Sequence, residues 1–323
     1  MPIVAHSRPL PGDFQLPDIA DVDLRVGPEQ GFASIEAGYD FFRGAHACVT
    51  WVTDRIDDAF LDAVGGQLKV VSNFAVGFDN IDVAACARRN VIVTNTPDAV
   101  TEGTADVAAM LLLGAARRVG AADRFVRSGD WARHGILAPA EFLGLPLAGR
   151  TLLIVGAGRI GYATAIRMLG WGMRTLYVAR SRKPIFEAAP LNAQRIELDE
   201  GLAQADFISV HTPLTEDTRH LIDARRLSLC KPTAVLVNTA RGPVIDEAAL
   251  ADALHDRRIA AAGLDVFEHE PEVHPKLLAC ENTLLTPHFG SADNRSRAAM
   301  TDLCADNINA VLSGRPPVTP VAV

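Results

Sequence analysis

The stretch LLIVGAGRIGYATAIRML, residues 152–169, places three glycines between an apolar run and a helical pattern with one apolar face. Gly156, Gly158 and Gly161 have the spacing G-x-G-x-x-G, in which the first glycine makes a tight turn after a strand. The second lets a phosphate approach the electropositive start of the helix, and the third lets helix and strand pack closely. This context predicts a βα unit that binds a dinucleotide, with Arg159 and Ile160 lining the same turn.

The strand after the glycine turn indicates which dinucleotide fits. Sites for NAD usually carry Asp or Glu about 20 residues further on, where the carboxylate binds the ribose 2′-hydroxyl. The segment LYVARSRKP has Ala179 at that place, followed by Arg180, Ser181 and Arg182. Guanidinium groups pair with a 2′-phosphate that a carboxylate would repel, so the segment favours NADP(H), with NAD(H) as the alternative. A solvated basic turn without a ligand is the other interpretation.

Short apolar runs alternate with helical patterns along the chain, which is typical of parallel sheets joined by crossover helices. A helical stretch from about Thr104 to Val126 separates two series of such runs. The first series covers residues 22–26, 47–52, 68–73 and 91–96. The second covers residues 151–156, 174–179, 206–211, 234–239, 261–266 and 283–288. The chain therefore predicts an α/β fold with two doubly wound parallel-sheet domains.

The last segment has the apolar spacing of a helix and a glycine, Gly314, where the helix would stop. Its apolar positions are Met300, Leu303, Cys304, Ile308, Val311 and Leu312. Because this helix follows the second series of strands, it can return to the first domain. Periodicity alone does not establish this return, which would give one domain of residues 1–98 plus 290–323 and an inserted dinucleotide-binding domain of residues 99–289.

Charge and cysteine content argue against several classes of function. The formal net charge of -8 disfavours partners such as nucleic acid or an anionic membrane. The five cysteines lack Cys-x-x-Cys spacing, which indicates reduced thiols in a cytoplasmic protein. The N-terminus lacks a signal-peptide pattern, and the apolar run VAAMLLLGAA is shorter than the ~20 residues of a membrane span.

Three segments after the glycine turn, VNTARGPVID, GLDVFEHEP and TPHFGSA, resemble the D-isomer-specific 2-hydroxyacid dehydrogenase family in sequence and order. NFAVGFDNID, RFVRSGDW, ARSRKP and HTPLTEDTRHLI make the resemblance closest to the glyoxylate/hydroxypyruvate reductase branch. The resemblance implies a Rossmann cofactor domain inserted into a flavodoxin-like substrate domain, and a homodimer built largely on the long helix after Thr101. The implied activity is NADPH-dependent reduction of a small 2-oxo acid, glyoxylate or hydroxypyruvate, to the D-2-hydroxy acid.

The resemblance implies that Arg241, Glu270 and His288 form the catalytic set. A 2-oxo acid carries a carboxylate beside its carbonyl, so the Arg241 guanidinium can bind the anion and polarise the carbonyl. His288 would donate a proton to the carbonyl oxygen during reduction and accept it in the reverse reaction. Glu270 would hydrogen-bond the other ring nitrogen and favour the protonated imidazole. Taken singly, Arg241, Glu270 and His288 are better explained as an ion-pair partner, part of an acidic loop and a core histidine.

Further contacts with substrate and cofactor also follow from the resemblance. On the substrate side, Val76 and Gly77 would cradle the carboxylate with backbone N–H groups, and Trp51 and Val52 would shape the pocket. The additional cofactor contacts would be Thr104 at the start of the long helix, Asp265 near the nicotinamide carboxamide, and Pro213, Thr239, Ala240 and Gly290 around the cleft. Trp131 is either a contributor across a dimer interface or an ordinary packed aromatic.

Alternatives to this function remain open. Another 2-oxo acid, branched or aromatic, could be the substrate. A dinucleotide-sensing corepressor on the same fold would bind the cofactor without turnover, although the Arg241, Glu270 and His288 set favours an enzyme. A metal site is disfavoured because the segment that suggests one contains Pro271 and lacks helical register. Its candidate ligands are Glu268, His269, Glu270, Glu272 and His274.

Overall fold

A computed structural model describes residues 1–322, and the chain divides into two compact units. One unit consists of Met1–Val100 together with the C-terminal segment that begins at Ser291. The other unit is Thr101–Gly290. Each unit is built on one parallel sheet, so the predicted α/β fold with two doubly wound sheets is confirmed.

The discontinuous unit contains a five-stranded sheet. Its strands are β1 (Ile3–His6), β2 (Asp23–Val26), β3 (Ala47–Thr50), β4 (Val70–Asn73) and β5 (Ile92–Thr94). All neighbours are parallel, in the order β2-β1-β3-β4-β5, which is the order of flavodoxin-like sheets. Its helices are α1 (Ile35–Phe42), α2 (Asp58–Val64), α3 (Val83–Arg88) and, at the end of the chain, α13 (Asn294–Leu312).

Side-chain caps fix where these helices begin. Asp57, Asp82 and Asp293 each accept a hydrogen bond from the backbone N–H three residues later, at 3.1, 2.8 and 2.8 Å. Such caps satisfy N–H groups that have no partner within the helix. Helix α13 ends before Gly314, which has a φ of +79°, and it packs against β3 and β4. The C-terminal helix is therefore part of the same unit as the N-terminal strands.

The second unit contains a seven-stranded sheet. Its strands are β6 (Thr151–Val155), β7 (Arg174–Val178), β8 (Gln194–Arg195), β9 (Phe207–Val210), β10 (Val235–Asn238), β11 (Ala261–Leu264) and β12 (Thr283–Leu285). The order β8-β7-β6-β9-β10-β11-β12 is entirely parallel and matches the 3-2-1-4-5-6 order of Rossmann sheets with a seventh strand added. The helices are α4 (Thr101–Ala116), α5 (Val119–Arg127), α6 (Asp130–His134), α7 (Arg159–Leu169), α8 (Pro184–Glu187), α9 (Leu198–Gln204), α10 (Ala224–Leu229), α11 (Glu247–His255) and α12 (Pro275–Ala279).

The predicted helix from about Thr104 to Val126 is divided in the structure. Helix α4 ends at Ala116, and Arg118 adopts a left-handed backbone with a φ of +56° before α5 begins. The chain returns to the end of α4 at Leu145, whose N–H donates to the Ala116 carbonyl at 2.9 Å. This bond satisfies a carbonyl that has no partner within the helix. Thr104 lies one turn inside α4 and not at its start, which corrects that prediction.

Two strands of the structure, β1 and β8, are absent from the two series of apolar runs that predicted the strands. Strand β1 is four residues long and is bounded by Pro2 and Pro9, and β8 is an exposed pair of polar residues on the sheet edge. Neither has the length of apolar sequence that identifies a buried strand. Among residues 1–322, no helix combines the length and the hydropathy that a membrane crossing requires.

Burial of His6 is expected to make the stability of the first unit depend on pH. The side chain is 2% exposed, its ring lies 4.2 Å from the Phe14 ring, and Nε2 has no hydrogen-bond partner among residues 1–322. Burial lowers the pKa of His6 from 6.5 to about 4. The unfolded chain therefore binds the extra proton between these values, and stability falls as the pH falls through that range.

Between pH 7 and pH 5, the wild type should lose about 2 kcal/mol more free energy of unfolding than His6→Phe, which cannot take up the proton. Urea titrations at both pH values measure this difference. The exposed His255 offers a control, since His255→Gln should follow the wild type. Equal losses in the wild type and His6→Phe would show that His6 is not the group responsible.

Candidate active site

The glycine turn lies between β6 and α7. Gly156 has a φ of +101°, and a Cβ there would lie 2.7 Å from the backbone of His211 and Thr212. A Cβ at Gly161 would lie 2.5 Å from the Gly156 carbonyl oxygen, so helix and turn approach too closely for any side chain. Gly158 caps α7 and has open space where a Cβ would be. The first N–H groups of α7 are thus accessible, and the turn fits the pyrophosphate of a dinucleotide.

The basic segment after β7 is exposed, and one of its arginines is already paired. Arg182 Nε lies 3.1 Å from both carboxylate oxygens of Glu187, which also accepts a hydrogen bond from Tyr177 Oη at 2.6 Å. The hydrogen bond from Arg182, followed by that from Tyr177, lowers the pKa of Glu187. Arg180 and Ser181 are exposed, and Arg180 forms no ion pair with any residue from 1 to 322. Glu187 therefore competes with any anionic ligand for Arg182.

The other predicted residues of this unit follow the carboxyl ends of neighbouring strands. Pro213 comes after β9, while Thr239, Ala240 and Arg241 come directly after β10. Asp265 follows β11 and His288 follows β12. Because parallel strands end at a common edge, these residues lie along the edge where doubly wound sheets bind ligands. Thr239 is buried, and its hydroxyl has no partner within residues 1–322.

The turn that carries Arg241 is held by its own strand. Asn238, the last residue of β10, donates from Nδ2 to the Arg241 carbonyl at 2.9 Å and accepts from Ala240 N–H at 3.0 Å. The Arg241 guanidinium donates through Nη1 to the Ala240 carbonyl at 2.8 Å and is partly buried. Arg241 thus emerges from the strand end on a braced turn.

His288 and Glu270 form a hydrogen-bonded pair. His288 Nδ1 lies 2.7 Å from Glu270 Oε2, and Glu270 Oε1 accepts from Phe267 N–H at 2.9 Å. Burial opposes ionisation of Glu270, but the hydrogen bond and charge of His288, the Phe267 N–H and the charge of Arg241 outweigh burial and lower its pKa. His288 has a φ of +51°, a backbone conformation uncommon for residues other than glycine. With Nδ1 held by Glu270, Nε2 is the ring atom available for proton transfer.

Asp265 holds the segment that carries His288. It is 1% exposed, and its carboxylate accepts three hydrogen bonds from that segment. The donors are Thr286 Oγ1 at 2.6 Å, Phe289 N at 3.0 Å and Gly290 N at 2.9 Å. The structure therefore places Asp265 and Gly290 beside His288, and contact of either with the cofactor stays a prediction.

The carboxylates and histidines of the segment FEHEPEVH turn to separate partners. Glu268 Oε1 lies 2.5 Å from His220 Nε2, while Glu270 pairs with His288. Glu247, on the neighbouring helix α11, accepts from Glu268 N at 2.6 Å and from His274 N at 2.8 Å. No cluster of three or more side chains arranged to bind a metal occurs in residues 1–322. The segment thus supplies two glutamates that pair separately with His220 and His288, which lie outside it.

The predicted substrate residues of the first unit lie at the carboxyl ends of β3 and β4. Asn95 Nδ2 donates to the Val76 carbonyl at 2.7 Å, and Asn73 Nδ2 donates to the Gly77 carbonyl at 2.8 Å. In the part of the chain that the structure describes, the N–H groups of Val76 and Gly77 donate no hydrogen bond. The carbonyl groups of Val76 and Gly77 are thus fixed by hydrogen bonds, while their N–H groups remain unpaired, as an anion-binding loop requires.

Trp51 lies in a small apolar cavity of the same unit. The guanidinium of Arg297, on α13, lies 4.8 Å from the centre of the Trp51 ring and 5.9 Å from that of Phe74. These residues line a cavity of about 280 Å³ together with Pro9, Leu10 and Pro11 among others. Val52 is partly exposed beside Trp51, and Trp131 is 49% exposed in the other unit.

Sequence reasoning missed several residues of these sites: Asn238, Glu187, Glu247, His220 and Arg297. Arg297 had a signal, because it lies three, four and seven positions before the buried Met300, Thr301 and Cys304 on the same face of α13. An arginine on the apolar face of a helix requires a partner. The tertiary structure sets the partners of the other four residues, and no local sequence pattern indicates them.

The sheet order and the glycine turn define a Rossmann-type α/β protein with the turn of a dinucleotide site. A family model described as "D-isomer specific 2-hydroxyacid dehydrogenase, NAD binding domain" matches residues 109–290. The chain accordingly belongs to the D-isomer specific 2-hydroxyacid dehydrogenase family and is an NAD(P)-dependent oxidoreductase, so the predicted resemblance is confirmed.

Individual relatives agree with this assignment. The chain is 47% identical to a glyoxylate reductase of Thermococcus onnurineus, over 92% of this chain and 89% of that protein. The crystal structure of the TT0316 protein from Thermus thermophilus is 39% identical with a TM-score of 0.90, over 99% of this chain and 100% of that one. An NADPH-dependent glyoxylate/hydroxypyruvate reductase from Sinorhizobium meliloti, solved with NADP and malonate, is 34% identical with a TM-score of 0.83, over 99% and 97% of the two chains.

Proposed function

We propose that the protein reduces glyoxylate or hydroxypyruvate with NADPH to the 2-hydroxy acid, in the D configuration where the product is chiral. The observation that carries this proposal is the 2.7 Å contact between His288 Nδ1 and Glu270 Oε2, with the positive charge of Arg241 close enough to influence Glu270. Relatives named as glyoxylate reductases and as a glyoxylate/hydroxypyruvate reductase support the choice of substrate.

The residues of the site have distinct roles in this proposal. When bound, the reduced nicotinamide supplies the hydride that arrives at C2 of the substrate. Arg241 binds the substrate carboxylate and polarises the neighbouring carbonyl through its planar, bidentate guanidinium. His288 donates a proton from Nε2 to the carbonyl oxygen, and Glu270 holds the ring through Nδ1 and stabilises its positive charge. For the first unit, the proposed role of the Val76 and Gly77 N–H groups is to bind a carboxylate.

Steady-state kinetics test this function directly. Oxidation of NADPH is measured with glyoxylate, hydroxypyruvate, pyruvate, and branched and aromatic 2-oxo acids, with NADH as the second cofactor. We expect the highest kcat/KM for glyoxylate or hydroxypyruvate with NADPH. A preference for a branched or aromatic acid would assign that acid as the substrate. Tight NADPH binding without turnover of any acid would favour the dinucleotide sensor.

The preference for NADPH is proposed to depend mainly on Arg180. Arg182 is shared with Glu187, whereas Arg180 and Ser181 are exposed at the end of β7, where Ala179 replaces the carboxylate usual for NAD. The relative solved with NADP is consistent with this preference.

The double variant Arg180→Ala, Arg182→Ala should raise the Kd for NADPH by about 10- to 100-fold and change that for NADH by less than about threefold, because only NADPH has the 2′-phosphate. Fluorescence titration of both cofactors measures the two constants. Arg174→Ala, at the opposite end of β7, should change neither. An equal rise in the Kd values for NADPH and NADH would show that the two arginines do not recognise the 2′-phosphate.

A homodimer is proposed from the surface of residues 119–143. The helices α5 and α6 have no buried residues, and this segment exposes large apolar side chains. Val119, Val126, Trp131, Ile136 and Leu143 are between 49% and 96% exposed. Such a patch commonly marks an interface. Sedimentation equilibrium at micromolar concentration should give twice the chain mass of 34.5 kDa, and a monomer would contradict this proposal.

A further inference from the structure

The segment that carries Glu270 is a loop with little regular structure. It runs from Phe267 to His274, between β11 and α12, and its internal contacts are an isolated bridge between His269 and Glu272 and the bond from Phe267 N to Glu270. A loop of this kind does not by itself hold a carboxylate within 2.7 Å of an imidazole, because a loop retains backbone freedom that costs free energy to remove. Groups outside the loop must therefore hold it.

One buried carboxylate holds both ends of this loop. Glu247 is 7% exposed at the first position of α11, directly after the helix cap Asp246. Its Oε2 accepts from Glu268 N at 2.6 Å, and its Oε1 accepts from His274 N at 2.8 Å. Bonds from N–H groups to a carboxylate are stronger than those to a neutral acceptor, and the start of a helix favours negative charge. Glu270 lies between the two residues that Glu247 anchors.

Two further contacts fix the first end of the loop. Glu268 Oε2 accepts from Glu247 N at 3.4 Å, and Glu268 Oε1 pairs with His220. A Cβ at Gly242 would lie 1.9 Å from the Phe267 carbonyl, so the turn after Arg241 packs directly on the start of the loop. The position of Glu270 is thereby linked to that of Arg241 through backbone contacts alone.

We propose that Glu247 is a positioning residue that holds the Glu270 loop so that the Glu270 carboxylate meets Nδ1 of His288. This inference rests on the proposed function, because it assigns the Glu270–His288 pair to proton transfer. Glu247 acts through its bonds to the backbone of Glu268 and His274. Its loss lets the loop shift, and displacements of about 1 Å in a catalytic group can cost 100-fold in rate.

The test is Glu247→Gln, which keeps the shape of the side chain but turns one of the two acceptors into a donor that faces an N–H group. We expect kcat for glyoxylate reduction to fall by about 10- to 100-fold, while KM for glyoxylate and Kd for NADPH stay within about twofold. The loss of rate at alkaline pH should also begin at a lower pH than in the wild type, since a displaced Glu270 no longer favours the protonated imidazole. Glu247→Asp keeps the charge and should restore part of kcat.

Asp252→Asn is the matched control, because it makes the same change on the same helix. Asp252 pairs with Lys276, two residues beyond the end of the Glu270 loop, and among residues 1–322 it accepts no hydrogen bond from the loop backbone; both side chains are half-exposed. This variant should keep the kcat and pH profile of the wild type. A Glu247→Gln enzyme with wild-type kcat and pH profile overturns the proposal, as does one in which NADPH affinity falls as far as kcat, since that pattern indicates general disruption of the unit.

Hydrogen exchange separates failure of this inference from failure of the proposed function. The amides of Glu268 and His274 donate to Glu247, so exchange of these two amides, followed in peptides that end at His274, should accelerate in Glu247→Gln and not in Asp252→Asn. This readout needs no substrate, so it remains valid if the wild type reduces no 2-oxo acid and the proposed function fails. Unchanged exchange in Glu247→Gln overturns the anchoring role whatever the activity of the wild type.

Discussion

Replacement of His288 by alanine is expected to lower kcat for reduction by about 10²- to 10⁴-fold, the usual contribution of a positioned general acid. The affinity for NADPH should change little, because the glycine turn and the basic segment lie at the ends of other strands. Without the imidazole, charge that develops on the substrate oxygen must be neutralised by water or by Arg241 alone. Single-turnover and steady-state rates with glyoxylate, together with titration of NADPH fluorescence, measure the two quantities.

His269→Ala is the control for this variant. His269 lies on the same loop as Glu270 but is exposed, so its removal should leave kcat within about twofold, as is usual for surface substitutions. Glu268, on the same loop, also pairs with a histidine, His220, so a second His–Glu pair lies beside the loop. A wild-type rate in His288→Ala would show that His288 is not the proton donor and would make His220 the next candidate.

Replacement of Arg241 by lysine should lower kcat/KM by about 10²- to 10³-fold, comparable to loss of one donor from an oxyanion site. The substitution keeps the positive charge, but an ammonium group cannot make two parallel hydrogen bonds to a carboxylate while it also polarises the adjacent carbonyl. Since Asn238 braces the turn through backbone atoms, the loop should keep its shape in the variant. The effect should appear in both kcat and KM for the 2-oxo acid.

Arg225→Lys is the matched control, because Arg225 is exposed on α10 and its partner is Asp199. The hydrogen bonds from Arg225 and Arg226 lower the pKa of Asp199 to about 2, so that carboxylate is charged throughout the assay range. We expect no change in kcat/KM for Arg225→Lys. If Arg241→Lys were kinetically indistinguishable from this control, Arg241 would not bind the substrate through its guanidinium.

Most strands of both sheets were predictable, because parallel strands buried on both faces are nearly continuous apolar runs. The runs at residues 151–156 and 234–239, for example, contain β6 and β10. Strand β8 was not predictable, since two exposed polar residues at a sheet edge resemble any loop. The break at Arg118 was not predictable either, because it accompanies the return of the chain to Ala116 at Leu145, and that contact joins segments far apart in sequence.

The residues of the predicted site were named from segments of the sequence that resemble the family. Apart from the Glu270–His288 pair, which the resemblance implied, their partners were not visible. Glu187 competes for Arg182, and Glu247 anchors a loop 21 to 27 residues away. Local patterns of polarity and periodicity contain no information on which of many carboxylates reaches a given donor.

The sequence by itself determined the α/β class and the glycine turn, because both depend on residue type and short-range spacing, and its resemblance to the family singled out Arg241, Glu270 and His288 as the predicted catalytic set. Only the tertiary structure decided that Glu268 pairs with His220, that Asp265 binds the segment around His288, and that Glu247 holds both ends of the Glu270 loop. The physical reason is that hydrogen bonds and ion pairs act over about 3 Å, so they depend on the distances that chain packing sets between residues remote in sequence.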